Sequence, residues 1–212
     1  MRNKIFFLVI TSILISRNTY SQEMGTYTDP RDGKVYETVI IGNQTWMAEN
    51  LAYKLSKGCW AFNNDQNNVK TFGLLYDWES AKKACPPGWH LPTDTEWTEL
   101  TDFVEAMKDS LFHGYYYVAK KMKATTEWEM DTNGTNDSGF TGLPGGTCDE
   151  NGRGSSIGIN GVWWSSTMCM GEFAYTRRMT SYQSQYEVNA TNFVLREYYF
   201  TKYGLSVRCI MD

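Results

Sequence analysis

Oxygen-bearing side chains crowd one stretch of the chain, where Asp131, Asn133, Asn136 and Asp137 stand within the run Asp131-Thr132-Asn133-Gly134-Thr135-Asn136-Asp137-Ser138-Gly139. Carboxylates and side-chain amides at this density can ligate a hard cation such as calcium or hydrogen-bond a polar ligand. The spacing is not that of an EF-hand loop, which needs Gly at its sixth position and Glu at its twelfth. Turn-forming Asn and Asp are the simpler explanation. A second group is aromatic: Tyr115-Tyr116-Tyr117, Trp163-Trp164 and Tyr198-Tyr199. A ring face can stack on the apolar face of a sugar while its polar edge makes a hydrogen bond. Neighbours on a strand point to opposite faces, so one of Trp163 and Trp164 is a candidate ligand contact; the plainer reading is that aromatics of this kind fill a small β core. The third group is sulfur: Cys59, Cys85, Cys148, Cys169 and Cys209, with no C-x-x-C pair among them. With only His90 and His113 in the chain and no H-E-x-x-H, a zinc site has little basis. No G-x-S-x-G elbow, phosphate loop or marked carboxylate pair supplies a catalytic constellation.

The N-terminus sets the expected compartment. Arg2 and Lys4 precede an apolar run over residues 5–15, and small and polar residues follow up to Ser21. This is the order and size of a secretory signal peptide, expected to be cleaved after Ser21 so that the domain occupies 22–212. A membrane anchor needs roughly 18 to 20 unbroken apolar residues, so no transmembrane anchor is expected. The whole chain has 20 basic and 24 acidic side chains; without Arg2, Lys4 and Arg17 the balance is 17 − 24 = −7. An acidic product of this kind excludes a generic nucleic-acid surface. In an oxidising compartment the cysteines are expected to form bridges, and the odd number leaves one thiol over.

These residues need elements to hold them. Arg31-Asp32-Gly33-Lys34 reads as a turn, 35–41 as a strand, Gly42-Asn43 as a second turn, and a further strand starts at Gln44. Trp78, Ala81 and Cys85 make one helical stripe that must stop before Pro86-Pro87. Thr93-Asp94-Thr95-Glu96 is a capping box, followed by Trp97, Leu100, Val104 and Met107 on one helical face. Residues 125–161 change to Gly, Asn, Asp, Ser and Thr, a long irregular segment of the kind that carries function. Strands are expected at 162–167, 173–179, 193–199 and 205–211. Strands, then helices, then strands is an α+β order.

Five motifs in order carry a resemblance: Asp32-Gly33-Lys34-x-Tyr36; Ile41-Gly42-x-Gln44-x-Trp46-Met47-Ala48-Glu49-Asn50-Leu51; Gly73-x-Leu75-Tyr76-x-Trp78; Cys85-Pro86-x-Gly88-Trp89-His90-Leu91-Pro92-Thr93-x-x-Glu96-Trp97; and Gly204-x-Ser206-Val207-Arg208-Cys209. The chain resembles the Fibrobacter succinogenes major paralogous domain family, and its Gly-Trp-His-Leu-Pro-Thr core is similar to a segment of the formylglycine-generating enzyme family. The resemblance implies a C-type lectin-like fold, with two helices on small twisted antiparallel sheets and a long loop region. It also implies a bridge from a helix to the last strand, which falls on Cys85 and Cys209. Cys148 and Cys169, at the ends of adjacent strand candidates, are then the expected second pair, leaving Cys59 free or bridged to another chain. The formylglycine-generating enzymes use a pair of reactive cysteines and a metal, whereas Cys169 and Cys209 are far apart in sequence, so that chemistry does not carry over. The tripeptides by which lectins bind sugar through calcium are also absent. The expectation is a secreted or cell-surface, non-catalytic module without a cofactor. It would bind a glycan or a surface protein at 125–161, through Asp131, Asn133, Asn136 and Asp137, with Trp163 or Trp164 at the edge. The alternatives are a formylglycine-generating-enzyme-like oxidoreductase and a purely structural component of a cell envelope.

Overall fold

The computed structural model describes residues 22–107, 117–182 and 190–212. The leader expected at 1–21, together with Tyr115 and Tyr116, lies outside them. In chain order come β1 (Met24–Thr28), β2 (Val35–Ile41), β3 (Gln44–Met47), β4 (Cys59–Trp60), α1 (Asn67–Phe72), β5 (Leu75–Tyr76), α2 (Trp78–Ala84), β6 (Trp89–His90) and α3 (Asp94–Ala106). Then follow α4 (Val118–Met122), β7 (Thr147–Cys148), β8 (Gly154–Ser155), β9 (Asn160–Met170), β10 (Phe173–Thr180), β11 (Leu195–Phe200), β12 (Leu205–Ser206) and β13 (Ile210–Met211). Three sheets result: β1-β2-β3-β13-β6, β11-β10-β9-β12-β5-β4, and the small pair β7-β8. Pairing is antiparallel except for β9 with β12, so the architecture is α+β. No described helix is long and apolar enough to cross a membrane.

Local sequence explains the first elements. Asp29 is buried and its carboxylate receives the backbone N–H and the guanidinium of Arg31, while Gly33 at φ 76° donates back to the Asp29 carbonyl. That turn returns β1 onto β2, the hairpin that Asp32-Gly33 signals, with its first strand at Met24–Thr28. Helix α2 starts at Asp77, whose side chain accepts from the Ser80 N–H at 2.7 Å, and it ends before Cys85-Pro86. On α3 both halves of the capping box form: Thr93 Oγ1 accepts from the Glu96 N–H, and Glu96 Oε2 accepts from the Thr93 N–H. Trp97, Leu100 and Val104 are fully buried, and such side chains contribute roughly 1.5–3 kcal/mol each.

Around Trp163 and Trp164 the sheet containing β9 is covered on both faces, and this overturns one expectation. Trp163 packs with Trp97, Phe140 and Met179 on one face; Trp164 packs with Trp78, Tyr76 and Leu205 on the other. Neither has exposed surface. Trp163 Nε1 donates to Asn50 Oδ1 at 2.8 Å and Trp164 Nε1 to the Tyr76 carbonyl at 2.7 Å. Their alternation is real, but helices and loops lie on both sides, so neither presents a ring to solvent.

Cys85 and Cys209 form a disulfide with Cα atoms 5.9 Å apart, joining the end of α2 to the residue before β13. Cys148 and Cys169 do not pair, and with Cys59 they are the free thiols among the described residues. The reason is strand length. Gly146 bridges Gly161 at the start of β9, whereas Cys169 stands eight residues further along the same strand, roughly 26 Å away at 3.3 Å per residue.

Arg208 occupies the centre without exposed surface. Its guanidinium donates to the carbonyls of Met47, Phe140 and Thr141 and to Asn50 Oδ1, and stacks over the Phe140 ring at 4.3 Å. Burial pushes it down to about 9. One planar fork thus ties β3, the 140–141 loop and the segment before β13.

Candidate functional site

The loop residues singled out from sequence do not converge. Asn133 Oδ1 accepts from the Trp128 N–H at 3.0 Å. Asn136 Oδ1 accepts from the Thr141 N–H at 2.8 Å while its Nδ2 donates to Thr141 Oγ1 at 3.0 Å. Both amides therefore organise the loop's own backbone, and Asp131 and Asp137 are exposed. Beneath them Lys123 is buried. Its ammonium donates to the Thr180 carbonyl at 2.7 Å and lies 4.3 Å over the Trp128 ring, and burial lowers its pKa to about 8. Among the described residues no group of three or more His, Cys, Asp or Glu is arranged to hold a metal ion.

The open surface lies on β9, β10 and β11. Opposed residues of an antiparallel pair face the same way. Phe173 opposes Met170 and Phe200, Tyr175 opposes Tyr198, and Arg177 opposes Trp163 and Arg196. One face thus carries three rows: Trp163, Arg177 and Arg196; then Tyr175 and Tyr198; then Met170, Phe173 and Phe200. Helix α3 covers the first row and begins at Asp94, so the outer rows run past it. Met170 is 63%, Tyr198 56% and Phe173 37% exposed. The Phe173 ring meets Tyr198 at 5.7 Å and Phe200 at 5.8 Å, with interplanar angles of 84° and 58°. Tyr203 extends the group, 6.4 Å from Phe200. Met168, also exposed, opposes Ala174 beyond a register shift between β9 and β10 and is not part of this group. Rings standing edge to face make an uneven apolar ridge, not a flat platform.

A charged cluster anchors the inner end. Asp94, the first residue of α3, receives Arg177 Nη1 at 2.5 Å and Arg196 Nη2 at 2.8 Å. Burial pushes the Asp94 carboxyl up, but the hydrogen bonds from Arg196 and Arg177 outweigh it and hold it below the usual range. Arg177 is buried, and desolvation lowers its pKa despite Asp94. Arg196 is half-exposed, stacks on the Tyr175 ring at 3.8 Å, and is raised chiefly by its bond to Asp94. Two cations around one carboxylate leave this corner positive on an acidic protein.

Among the described aromatic candidates only Tyr198 reaches this surface, while Tyr199 is half-buried beside Tyr203. The reading of the sequence passed over Phe173, Tyr175, Arg196 and Phe200. A signal for them exists: Phe173-x-Tyr175-x-Arg177 and Arg196-x-Tyr198-x-Phe200 are mirror images, and antiparallel pairing sets like against like.

Comparison with known proteins finds one family, described as the Fibrobacter succinogenes major domain, whose model matches residues 39–211. No curated protein and no solved structure matches the chain.

Proposed function

The chain belongs to the Fibrobacter succinogenes major domain family, and from that framework we propose a secreted, non-catalytic recognition module whose ligand, a glycan or a surface protein, meets the open strip of Met170, Phe173, Tyr198 and Phe200. The observation that carries this reading is the exposure of that strip on paired strands. Met170, Phe173, Tyr198 and Arg196 are exposed together here, with half-buried Phe200 packed among them. Aromatic residues, Met and Arg are the types enriched where proteins meet partners. The bridge from α2 to the residue before β13 supports a C-type lectin-like arrangement, as does the pair of longer helices on twisted sheets. Two of the free thiols support a non-catalytic reading: burial pushes Cys148 up to about 12 and raises Cys59 as well, the opposite of an activated nucleophile. The module acts without a cofactor, and its N-terminal leader delivers it to the exterior.

The test compares retention of the exported protein on a glycan array and on surface-protein extract, with calcium and with chelator. Phe173→Ser combined with Tyr198→Ser should lower retention about tenfold or more, as loss of interface anchors does, and leave Tm unchanged. Asp131→Ala with Asp137→Ala should change neither. Loss of retention in the loop variant alone would move the site to the loop.

A further inference from the structure

Strand β11 ends its sheet, and among the described residues no strand lies along its outer edge. Edge strands display unpaired N–H and C=O groups, which proteins blunt with Pro, bulges, free charged side chains (Lys above all) or brevity. Strand β1, at an edge of the other sheet, contains Gly25. Strand β11, Leu-Arg-Glu-Tyr-Tyr-Phe, contains no Pro, Gly or Lys and holds six consecutive pairs with β10 without a register shift. The shift lies one strand inward, between β9 and β10. The charged side chains of this edge, Arg196 and Glu197, are both paired within the protein, and the edge also supplies Tyr198 and Phe200 to the open strip. A chain added there would lay every second side chain beside them.

We propose that the β11 edge takes up an extended polypeptide by antiparallel strand addition, preferring the pattern apolar-x-apolar-x-acidic read from its N-terminal end. The proposal rests on the strip being the recognition surface and narrows its ligand from a glycan or protein to a polypeptide strand. Main-chain hydrogen bonds supply affinity in this mode, and alternate side chains supply specificity. In antiparallel register the two apolar positions lie opposite Phe200 and Tyr198. The acidic position lies opposite Arg196, whose cluster with Arg177 and Asp94 keeps one positive charge in excess. The side chain opposite Glu197 is unconstrained, because Glu197 is already engaged by Arg178 Nε and Nη2 at 2.9 Å. The Tyr198 and Phe200 rings, set edge-on and tilted against Phe173, suit branched aliphatic side chains better than the flat face of a sugar. A second copy of β11 centred on Tyr198 would instead place Phe200 against Arg196, with no acid there.

The probe is a capped, fluorescently labelled peptide with the core Val-Thr-Val-Thr-Glu, followed by anisotropy and by amide hydrogen exchange. Binding should protect the amides of residues 195–200. Replacing the Glu of the peptide by Lys should weaken binding about fivefold, and replacing the central Val by Pro, which removes an N–H, should abolish it. Tyr198→Lys should abolish binding with Tm unchanged. Failure of the peptide to bind, or binding that leaves 195–200 unprotected, overturns strand addition. If the peptide fails while Phe173→Ser with Tyr198→Ser still lowers glycan retention, the strip stands and only its occupant is wrong. Unchanged retention in that double variant sinks the strip itself. Concentration-dependent protection of 195–200 without peptide makes the occupant a second copy and overturns the proposal.

Discussion

A guanidinium with no exposed surface and no ion-paired carboxylate depends on neutral oxygens: the two terminal nitrogens of Arg208 are held by three carbonyls and the Asn50 amide, while its Nε has no partner among the described residues. Arg208→Met removes the donors and leaves those acceptors buried, so it should lower unfolding free energy by about 3–5 kcal/mol, read from urea titration. His90 behaves differently because it lies near the surface. Its Nε2 is 2.9 Å from Glu96 and its Nδ1 2.6 Å from Asp212, and two acceptors require both nitrogens to carry protons. Burial lowers its pKa, but the bonds to Glu96 and Asp212 outweigh that and raise it above 6.5. A raised folded pKa means that the stabilisation is complete below about 6.5 and is lost as pH rises through the folded value. The Tm of wild type relative to His90→Gln should therefore fall on going from pH 6 to above the folded pKa. A difference that is flat with pH would show that the contacts are not ionic.

At the scale of elements, what was legible depended on whether the signal was local. The capping box at Thr93, the stop before Pro86 and the strand at Val35–Ile41 each depend on a few adjacent side chains, and each formed as expected. The loop at 125–161 was legible as irregular but not as self-bonded. Its order comes from Asn133, Asn136 and backbone contacts such as Gly134 N–H to the Ala124 carbonyl. Asn136 also sits at φ 55°, a conformation that costs most residues about 1 kcal/mol or more. Asn136→Ala should accordingly cost about 1–2 kcal/mol, whereas Asp137→Ala, an exposed side chain, should stay within about 0.5 kcal/mol. Thermal unfolding of the two variants checks the contrast.

For the whole molecule, the Cys85–Cys209 bridge closes a loop of 124 residues. In the chain-entropy model that is worth about 4–5 kcal/mol, as an upper figure. Reduction should lower the denaturation midpoint accordingly, and alkylation without reduction should label Cys59 and Cys169 before buried Cys148. Mass mapping that found Cys148 joined to Cys169 would contradict the separation that β9 imposes.

The sequence alone determined the α+β order, the first strands, both longer helices and, through its ordered motifs, the family. Those features are written in neighbouring residues, where capping, proline and hydrophobic period act over a turn or two. Which aromatics stay outside is a different matter. Trp163 and Trp164 sit in a pattern that looks half-exposed, yet helices and loops cover both sides of β9 there; Phe173 looks like core, yet its end of the sheet outruns α3. Burial is set by what packs across a sheet from distant parts of the chain, so only the tertiary structure could decide which rings became interior and which became surface.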